Sequence, residues 1–320
     1  MLLSVLDLVY EDPFFASPGT PIPNKNGFIN FRLNGHIRHA SSYRFIVENG
    51  RKQCIKDSYS CSFSYEGHIL HKVICDKLGA LTKVVTYKYN ENSQIAEILC
   101  IDACGKQCFR NLYRYNKKKL LCTDKSYDEK DNLRGEHEYL YDPHNNVKEH
   151  RWESVNPEYS WKLLYTYDEN NQEIEMREYK GVYNVYERRL VKTYDSFGNI
   201  INHVSIDSNG KETELAAGDY DEFGRCGVYR HSKYSFELIK YDNSNKVVEI
   251  APNPTQIIKV LYNESKSITV LWMEKESLVI SRKREICFDE HDNIISIINY
   301  TGENLENIEG TLYSYEYYPM

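Results

Sequence analysis

Long apolar runs are missing from this sequence of 320 residues. Nowhere does it approach the roughly 18–20 consecutive apolar side chains that a membrane helix needs, so we expect no membrane partner. The N-terminal MLLSVLDLVYEDPFF lacks the basic start of a secretory signal and carries Asp7 and Glu11. The nine cysteines are odd in number and irregularly spaced, which favours free thiols in a reducing compartment over a disulfide framework. These absences together predict a cytoplasmic protein.

A basic excess is missing as well. The chain has 40 Lys and Arg against 47 Asp and Glu, a net charge of −7. Because surfaces that follow nucleic-acid phosphates are normally strongly basic, we expect no nucleic-acid partner. No segment shows a 3.6-residue apolar period, so little helix is expected. There is no G-x-S-x-G motif and no Walker loop, and we therefore predict a protein that is not an enzyme and needs no cofactor.

Tyrosine is abundant, with 28 residues, and it marks a repeat. An aromatic residue followed by Asp, Asn or Glu recurs at intervals of 21–27 residues. These anchors are Tyr65, Tyr89, Tyr115, Tyr141, Tyr167, Tyr194, Tyr220, Tyr241, Tyr262, Phe288 and Tyr315. Regular spacing over eleven positions indicates a repeat architecture.

Each repeat is predicted to be a β-hairpin. A large apolar side chain usually stands two residues before the anchor, and positions i and i+2 share one face of a strand. Lys192 and Gly218 interrupt this stripe. The Asp or Asn after the anchor is typical of a turn start, and residues that tolerate positive φ, such as Asn171 and Gly198, follow four positions past the anchor. A second turn is expected in mid-repeat, where DSNGK carries the Asn-Gly hairpin signal at Asn209 and Gly210.

The motifs YTYDENNQ, YLYDPHNN, KTYDSFGNI, DYDEFGR and IKYDNSNK resemble the YD repeat of the RHS family, over roughly residues 61–316. The resemblance implies a long antiparallel meander, which in large members coils into a hollow β shell around a toxin. The Asp-Pro-x-Gly self-cleavage signature of RHS cores is missing, and no domain of another kind follows the repeats. We therefore expect a stand-alone YD-repeat protein rather than a closed, toxin-loaded shell.

The predicted fold is all-β: about twenty antiparallel strands coiled into a curved open sheet or a partial barrel. Residues 61–320 form the meander. Residues 1–60 form an atypical capping segment, with a proline-rich loop (Pro13, Pro18, Pro21, Pro23) and a worn first repeat around Leu33. Repeat arrays need such ends to cover an exposed sheet edge.

Two groups of metal-ligand residues have structural explanations. Cys100, Cys104 and Cys108 in CIDACGKQC align without gaps on SIDSNGKET, which makes them variable positions of one hairpin. The pairs His36/His39 and His68/His71 are spaced three apart, and on a strand such residues point to opposite faces. We predict no metal site at either, although sequence alone leaves metal binding open.

The densest aromatic cluster holds Trp152, Tyr159 and Trp161 around a proline-containing loop. Trp and Tyr are favoured anchors at protein interfaces, and cross-strand packing explains them equally well. We predict a non-catalytic protein-binding repeat module with these residues as candidate partner contacts, and an immunity role against a toxin domain in bacterial competition. Alternatives left open are a carbohydrate- or cell-surface-binding protein and a hydrolase with its site in the β hollow.

Overall fold

The computed structural model describes residues 36–48, 51–54, 58–181, 183–231, 235–236, 238–302 and 304–319. The proline-rich loop and Leu33 lie outside these residues, so the predicted capping role of residues 1–60 stays a prediction. Within that segment the described part includes one long strand, Ile37–Glu48.

The described residues form 24 strands and one short 3₁₀ helix. The strands are β1 Ile37–Glu48, β2 Arg51–Cys54, β3 Ser58–Phe63, β4 Ile69–Cys75, β5 Leu81–Tyr89, β6 Ile95–Asp102, β7 Gln107–Tyr115, β8 Leu121–Tyr127, β9 Leu133–Tyr141, β10 Val147–Ser154, β11 Trp161–Tyr167, β12 Glu173–Lys180, β13 Val185–Tyr194, β14 Ile200–Asp207, β15 Glu212–Tyr220, β16 Cys226–His231, β17 Ser235–Phe236, β18 Leu238–Tyr241, β19 Val247–Asn253, β20 Gln256–Asn263, β21 Ser267–Glu274, β22 Ile280–Phe288, β23 Ile294–Thr301 and β24 Asn307–Tyr317. The 3₁₀ helix is Pro157–Tyr159, between β10 and β11. No helix in the described part of the chain is long and apolar enough to cross a membrane. The predicted all-β antiparallel meander is confirmed.

The chain folds into two compact units. The first contains the described residues of Met1–Ile95, Leu99–Lys106 and Ile239–Met320, and the second those of Ala96–Ile98 and Gln107–Leu238. In the second unit, β7 to β17 pair in chain order, each antiparallel to the next.

In the first unit, β1, the first described strand, pairs with β24, the last one. One edge of β1 pairs with β24 over most of its length. Its other edge pairs with β3 in its first half and with β2 in its second half. Phe45 on β1 is 1% exposed, and its ring lies over Gly310 of β24, where an added Cβ would come within 3.0 Å of it. Strand β1 is therefore hydrogen-bonded along both edges and also contributes a buried side chain to the core.

The predicted apolar stripe forms core in both units. Eight stripe residues, each two positions before an anchor, are buried: Phe63, Tyr87, Tyr113, Tyr139, Ile239, Val260, Ile286 and Tyr313. Tyr165, at the same position of its repeat, is half-buried. The two predicted interruptions are accommodated locally. Lys192 pairs with Glu173 at 2.8 Å, and the ring of Tyr220 fills the space that a side chain at Gly218 would occupy.

The anchor tyrosines have a second role, which the sequence pattern did not reveal. Seven of them donate their hydroxyl to the carbonyl of the first residue of an earlier strand, at 2.6–3.3 Å. Tyr167, for example, donates to the Val147 carbonyl at 2.8 Å. These hydrogen bonds satisfy carbonyl groups at strand starts and connect successive hairpins.

Removing one of these hydroxyl groups is predicted to lower the stability of the protein only slightly. Tyr167→Phe is expected to lower the free energy of unfolding by about 1 kcal/mol, since one neutral hydrogen bond is lost while the ring stays in place. Urea denaturation followed by tryptophan fluorescence measures this change. Tyr183→Phe is the matched control, because Tyr183 is 88% exposed and its hydroxyl bonds to no described residue. Equal effects of the two substitutions would contradict the assigned role.

The turns follow the predicted Asp pattern closely. The Asp or Asn side chain accepts hydrogen bonds from the backbone two and four residues on, as Asp168 does from Asn170 and Gln172 at 2.9 and 2.8 Å. The third residue after it has positive φ, as at Asn171 with φ 60°. The mid-repeat turn is of the same kind: Asp207 accepts from the Asn209 and Lys211 amides. The mid-repeat turn predicted at DSNGK is therefore confirmed, with Gly210 as its positive-φ residue. An Asp side chain that accepts two amide hydrogens stabilises a turn of this kind.

Candidate functional site

Among the described mid-repeat connections of the second unit, two depart from the Asp turn. Between β10 and β11 the chain forms the 3₁₀ helix, which Pro157 begins and Asn156 caps by accepting the Glu158 amide hydrogen at 3.2 Å. Between β12 and β13 lies a short turn whose described residues are Gly181, Tyr183 and Asn184. Ser160 links the two connections, because its carbonyl accepts from the Gly181 amide at 2.7 Å and its hydroxyl from the Ser154 amide at 3.1 Å.

A depression of about 450 Å³ lies at these connections. Trp152 and Trp161 line it and stand directly opposite each other in the β10–β11 register. Its other lining residues are Arg151, Glu153, Ser154, Pro157, Ser160, Lys162, Gly181 and Asn184. We call the depression and the two connections the paired-tryptophan site.

Apolar side chains are exposed on both connections of this site. They are Val155 and Tyr159 on the first connection, and Tyr183 and Val185 at the second. Isolated exposed apolar residues are common, whereas a group of them beside a depression is typical of interaction surfaces. The site therefore combines a recess lined by two indoles with an apolar rim.

Two histidines support the indoles on the same face of the sheet. The His137 ring lies 4.4 Å from the ring of Trp152 and 5.6 Å from that of Trp161. The His150 ring lies 4.7 Å from Trp161 and stacks on Tyr139 at 4.2 Å. His137 Nδ1 and His150 Nε2 share a hydrogen bond of 3.0 Å, in which one ring donates and the other accepts. The rings thus form one packed aromatic layer across β9, β10 and β11.

Gly135 makes room for this arrangement. A Cβ added there would meet the Trp152 ring at 2.5 Å and the Glu153 carbonyl oxygen at 2.6 Å. Since the Glu153 backbone carbonyl cannot move away easily and the half-buried Trp152 ring occupies the same space, a side chain at this position would displace the indole. The position of Trp152 therefore depends on a glycine on the neighbouring strand.

The two histidines are neutral at physiological pH. Burial lowers the pKa of His137 to about 4. Burial, followed by the charge of His137, lowers the pKa of His150 to about 3. A single hydrogen bond between two imidazoles also requires at least one ring to be unprotonated. The layer beneath the indoles therefore adds no positive charge to the site.

A buried carboxyl group lies next to this layer. Asp124 on β8 is 3% exposed and stands opposite His137 in the β8–β9 register. Tyr139 donates its hydroxyl to Asp124 at 3.3 Å. Burial raises the pKa of Asp124 to about 7, with a smaller increase from the charge of Glu136, while the Tyr139 hydrogen bond lowers it. The carboxyl group is therefore partly protonated near neutral pH.

The structure brings two of the three predicted contact residues together. Trp152 and Trp161 share the depression, whereas Tyr159 lies outside its lining, exposed at the end of the 3₁₀ helix. The sequence interpretation missed the supporting residues His137 and His150. Strand alternation from Tyr139 would have placed His137 on the tyrosine face, but not beside Trp152.

The cysteine and histidine groups occupy ordinary repeat positions. Cys100 is buried on β6, and Cys108 is half-buried on β7. Cys104 is exposed in a turn, where its amide donates to Asp102 at 2.9 Å. The His36 ring stacks on Tyr65, and the His68 ring packs against Tyr89. Among the residues that the structure describes, no three His, Cys, Asp or Glu side chains come together as a metal-binding group.

Comparisons with known proteins find structural neighbours at low similarity. No protein-family model matches the sequence, and no curated protein matches it. The Photorhabdus luminescens Tc holotoxin pore aligns with 82% of this chain and 18% of its own, at 11% identity and a TM-score of 0.31. A TcdB2-TccC3 structure aligns with 86% of this chain and 20% of its own, at 12% identity and a TM-score of 0.32.

A third neighbour is a porin-like protein from Bacteroides uniformis. It aligns with 89% of this chain and 98% of its own, at 11% identity and a TM-score of 0.29. This chain spans only about a fifth of the length of the Tc toxin chains. At these identities and TM-scores the likenesses assign neither a family nor an activity, and the resemblance to the RHS repeat remains an interpretation of the sequence motifs.

Proposed function

We propose that this protein is a non-catalytic binding module that holds a protein partner at the paired-tryptophan site. One observation carries the proposal: the two tryptophans share a depression, and the connections around it expose Val155, Tyr159 and Tyr183. Tryptophan and tyrosine contribute most of the energy at many protein interfaces, especially in recesses surrounded by apolar side chains. A recess with an exposed apolar rim suits a protein segment.

The finer form of the proposal is an immunity role, in which the partner is a toxin domain in a bacterial competition system. Its support is the resemblance of the repeats to the RHS YD repeat, which makes it an argument by analogy. The net charge of −7 is compatible with a basic partner.

Site-specific photo-cross-linking tests the binding proposal. We expect a photoreactive phenylalanine at position 159 to capture one polypeptide in cells, and the same residue at position 197 to capture none. Phe197 is the matched control because it is exposed to a similar degree, 60% against 69% for Tyr159. Trp161→Ala should remove the cross-link, since losing a central indole costs about 2–4 kcal/mol of binding energy. No protein adduct at position 159, or an adduct that survives Trp161→Ala, would overturn the proposal.

The immunity role has its own test. Expression of the captured polypeptide alone should stop bacterial growth, and co-expression of this protein should restore it. The Trp161→Ala variant should fail to restore growth while remaining folded by circular dichroism. A captured polypeptide that is harmless on its own would contradict the immunity role and leave the binding proposal intact.

A carbohydrate ligand is a second candidate, favoured by the polar groups beside the indoles. Ser154, Ser160 and Asn184 offer hydroxyl and amide groups in the same depression. Indole faces with such neighbours are suited to sugar rings. Glycan-array binding that Trp152→Ala and Trp161→Ala abolish would favour this candidate over a protein partner.

A further inference from the structure

The charged residues that line the paired-tryptophan site belong to the face of the sheet opposite its indoles. Arg151 and Glu153 flank Trp152 in β10, and Lys162 follows Trp161 in β11. Successive side chains of a strand point to opposite faces, so these three charges alternate away from the indole rings. The indole face of the site therefore carries none of them.

The row of described residues that the register places across the strands beside the indoles offers no free charge to a ligand. Lys180 stands opposite Trp161, and its ammonium group contacts Glu187 at 3.2 Å. On the other side, Asp124 is 3% exposed and is separated from Trp152 by the neutral ring of His137. A ligand on this face is therefore not selected by the sign of its charge.

The site instead offers hydrogen-bond donors. Neither indole N–H donates to a described residue, and both reach solvent, since neither is among the buried polar atoms that lack a partner. The Ser160 hydroxyl accepts the Ser154 amide hydrogen at 3.1 Å, and the Ser154 hydroxyl accepts the Asn156 amide hydrogen at 3.2 Å. Because each hydroxyl already accepts a hydrogen bond, its own O–H remains to be donated. Two indole N–H groups and two hydroxyls thus need acceptors.

A ligand that matches these donors is rich in acceptors and poor in donors of its own. A proline-rich segment has this composition, because every residue keeps its carbonyl oxygen while each proline lacks an N–H. In the polyproline II conformation the carbonyls form no hydrogen bonds within the segment and can accept from a partner. A segment in β conformation brings amide donors as well, and each sugar hydroxyl is both donor and acceptor. The donor set therefore favours a polyproline II segment over either of these ligands.

The aromatic surroundings suit the same ligand. Trp152 and Trp161 supply two neighbouring indoles in the depression, and the exposed Tyr159 and Tyr183 stand on the connections around it. Proline-rich segments dock in grooves lined by aromatic side chains, where the proline rings pack against them. Because the polyproline II conformation is formed before binding, docking costs little conformational entropy.

We propose that the paired-tryptophan site takes a proline-rich segment of the partner protein in the polyproline II conformation. The proline rings pack against Trp152 and Trp161. The indole N–H groups and the hydroxyls of Ser154 and Ser160 donate to the carbonyl oxygens of the segment. This inference rests on the proposed function and specifies the chemistry of the partner.

Calorimetric titration of the unsubstituted protein tests the inference. The probes are two blocked nonapeptides, one made of repeated Pro-Pro-Ala and one of repeated Ala-Ser-Ala, and the neutral sugar maltotriose. We expect the proline peptide to bind at least about tenfold more tightly than the other peptide, because it is preorganised, and the sugar not to bind. The affinity for the proline peptide should change by less than about twofold with added salt, because no charges are involved. Equal affinities of the two peptides, no binding of the proline peptide, a strong salt dependence or tighter binding of the sugar would overturn the inference.

Substitutions on the two faces of the sheet locate the contact. Trp161→Phe keeps an aromatic ring and removes one N–H, so the proline peptide should bind about fivefold more weakly. Glu153→Gln with Lys162→Gln is the matched control, because it removes two charges from the opposite face and should leave the affinity unchanged. Circular dichroism checks that both variants remain folded. Equal effects of the two variants on the affinity would contradict the inference.

Intrinsic fluorescence places the peptide at the site. The chain has three tryptophans, and in a Trp272→Phe background only Trp152 and Trp161 remain. Their emission should change as the proline peptide binds, and unchanged emission would overturn the inference. The cross-link at position 159 tests the proposed function separately. A protein adduct there without binding of the proline peptide would refute this inference and leave the proposed function intact.

Discussion

Asp124→Asn is expected to stabilise the protein above neutral pH and to leave it unchanged near pH 4. The folded state raises the pKa of Asp124 from 3.8 to about 7. Between these pH values the folded protein holds a proton that the unfolded chain releases. The free energy of unfolding of the unsubstituted protein therefore falls as pH rises. Above pH 7 the ionised, buried carboxylate costs about 2–4 kcal/mol. Asparagine keeps the shape and can still accept the Tyr139 hydroxyl, but never ionises.

The measurement is the difference in free energy of unfolding between Asp124→Asn and the unsubstituted protein, followed by intrinsic tryptophan fluorescence in urea. This difference should grow from near zero at about pH 4 to its full value at about pH 8. Asp219→Asn is the matched control, because Asp219 is exposed on β15 of the same unit and should show no such growth. A difference that does not depend on pH would refute the buried-carboxyl interpretation.

The groups that face Asp124 explain why the comparison needs a variant. Tyr113 on β7 and His137 and Tyr139 on β9 surround it. His137 and His150 have lowered pKa values, so the unfolded chain binds more protons than the folded protein below about pH 6.5. Their contribution to stability therefore rises with pH up to that value, which opposes the contribution of Asp124. The difference in free energy of unfolding between Asp124→Asn and the unsubstituted protein cancels the histidine contribution and leaves that of the Asp124 carboxyl group.

Phe45→Ala is expected to cause the largest loss of stability in the first unit, about 3–5 kcal/mol. Phe45 is 1% exposed and is covered by Lys52, whose Nζ lies 4.7 Å from the ring centroid. The ring also lies over Gly310 of β24, where no Cβ is present to fill the resulting cavity. Because β1 joins β24 to β2 and β3, the loss should reach both groups of strands. Hydrogen exchange of the β24 amides and urea denaturation measure it.

Phe197→Ala is the matched control for this effect. Phe197 is 60% exposed, so its truncation should change the free energy of unfolding by about 0.5 kcal/mol or less. Similar losses in the two variants, or unchanged protection of β24 in Phe45→Ala, would show that β1 does not hold these strands together.

The candidate site illustrates how far reasoning from sequence extends. Trp152 and Trp161 stood out because they flank a connection that departs from the repeat. Their direct opposition depends on the β10–β11 register, which a six-residue connection with a 3₁₀ helix sets. The place of His137 beside Trp152 depends on the β9–β10 register, which shifts by one residue at a bulge between Val147 and Glu149. One extra residue in a strand reverses which face every later side chain occupies.

Local rules in the sequence were sufficient to predict the strands, the buried stripe and the Asp turns, because each of these features depends on neighbours within about five residues. Tertiary structure alone decided the rest. The tyrosine hydroxyl bonds join residues 15–21 apart, and β1 pairs with a strand more than 250 residues away. The high pKa of Asp124 and the low pKa values of His137 and His150 arise from burial, which is a property of the packed sheet. The paired-tryptophan site is therefore formed by tertiary packing and is not part of the repeat motif.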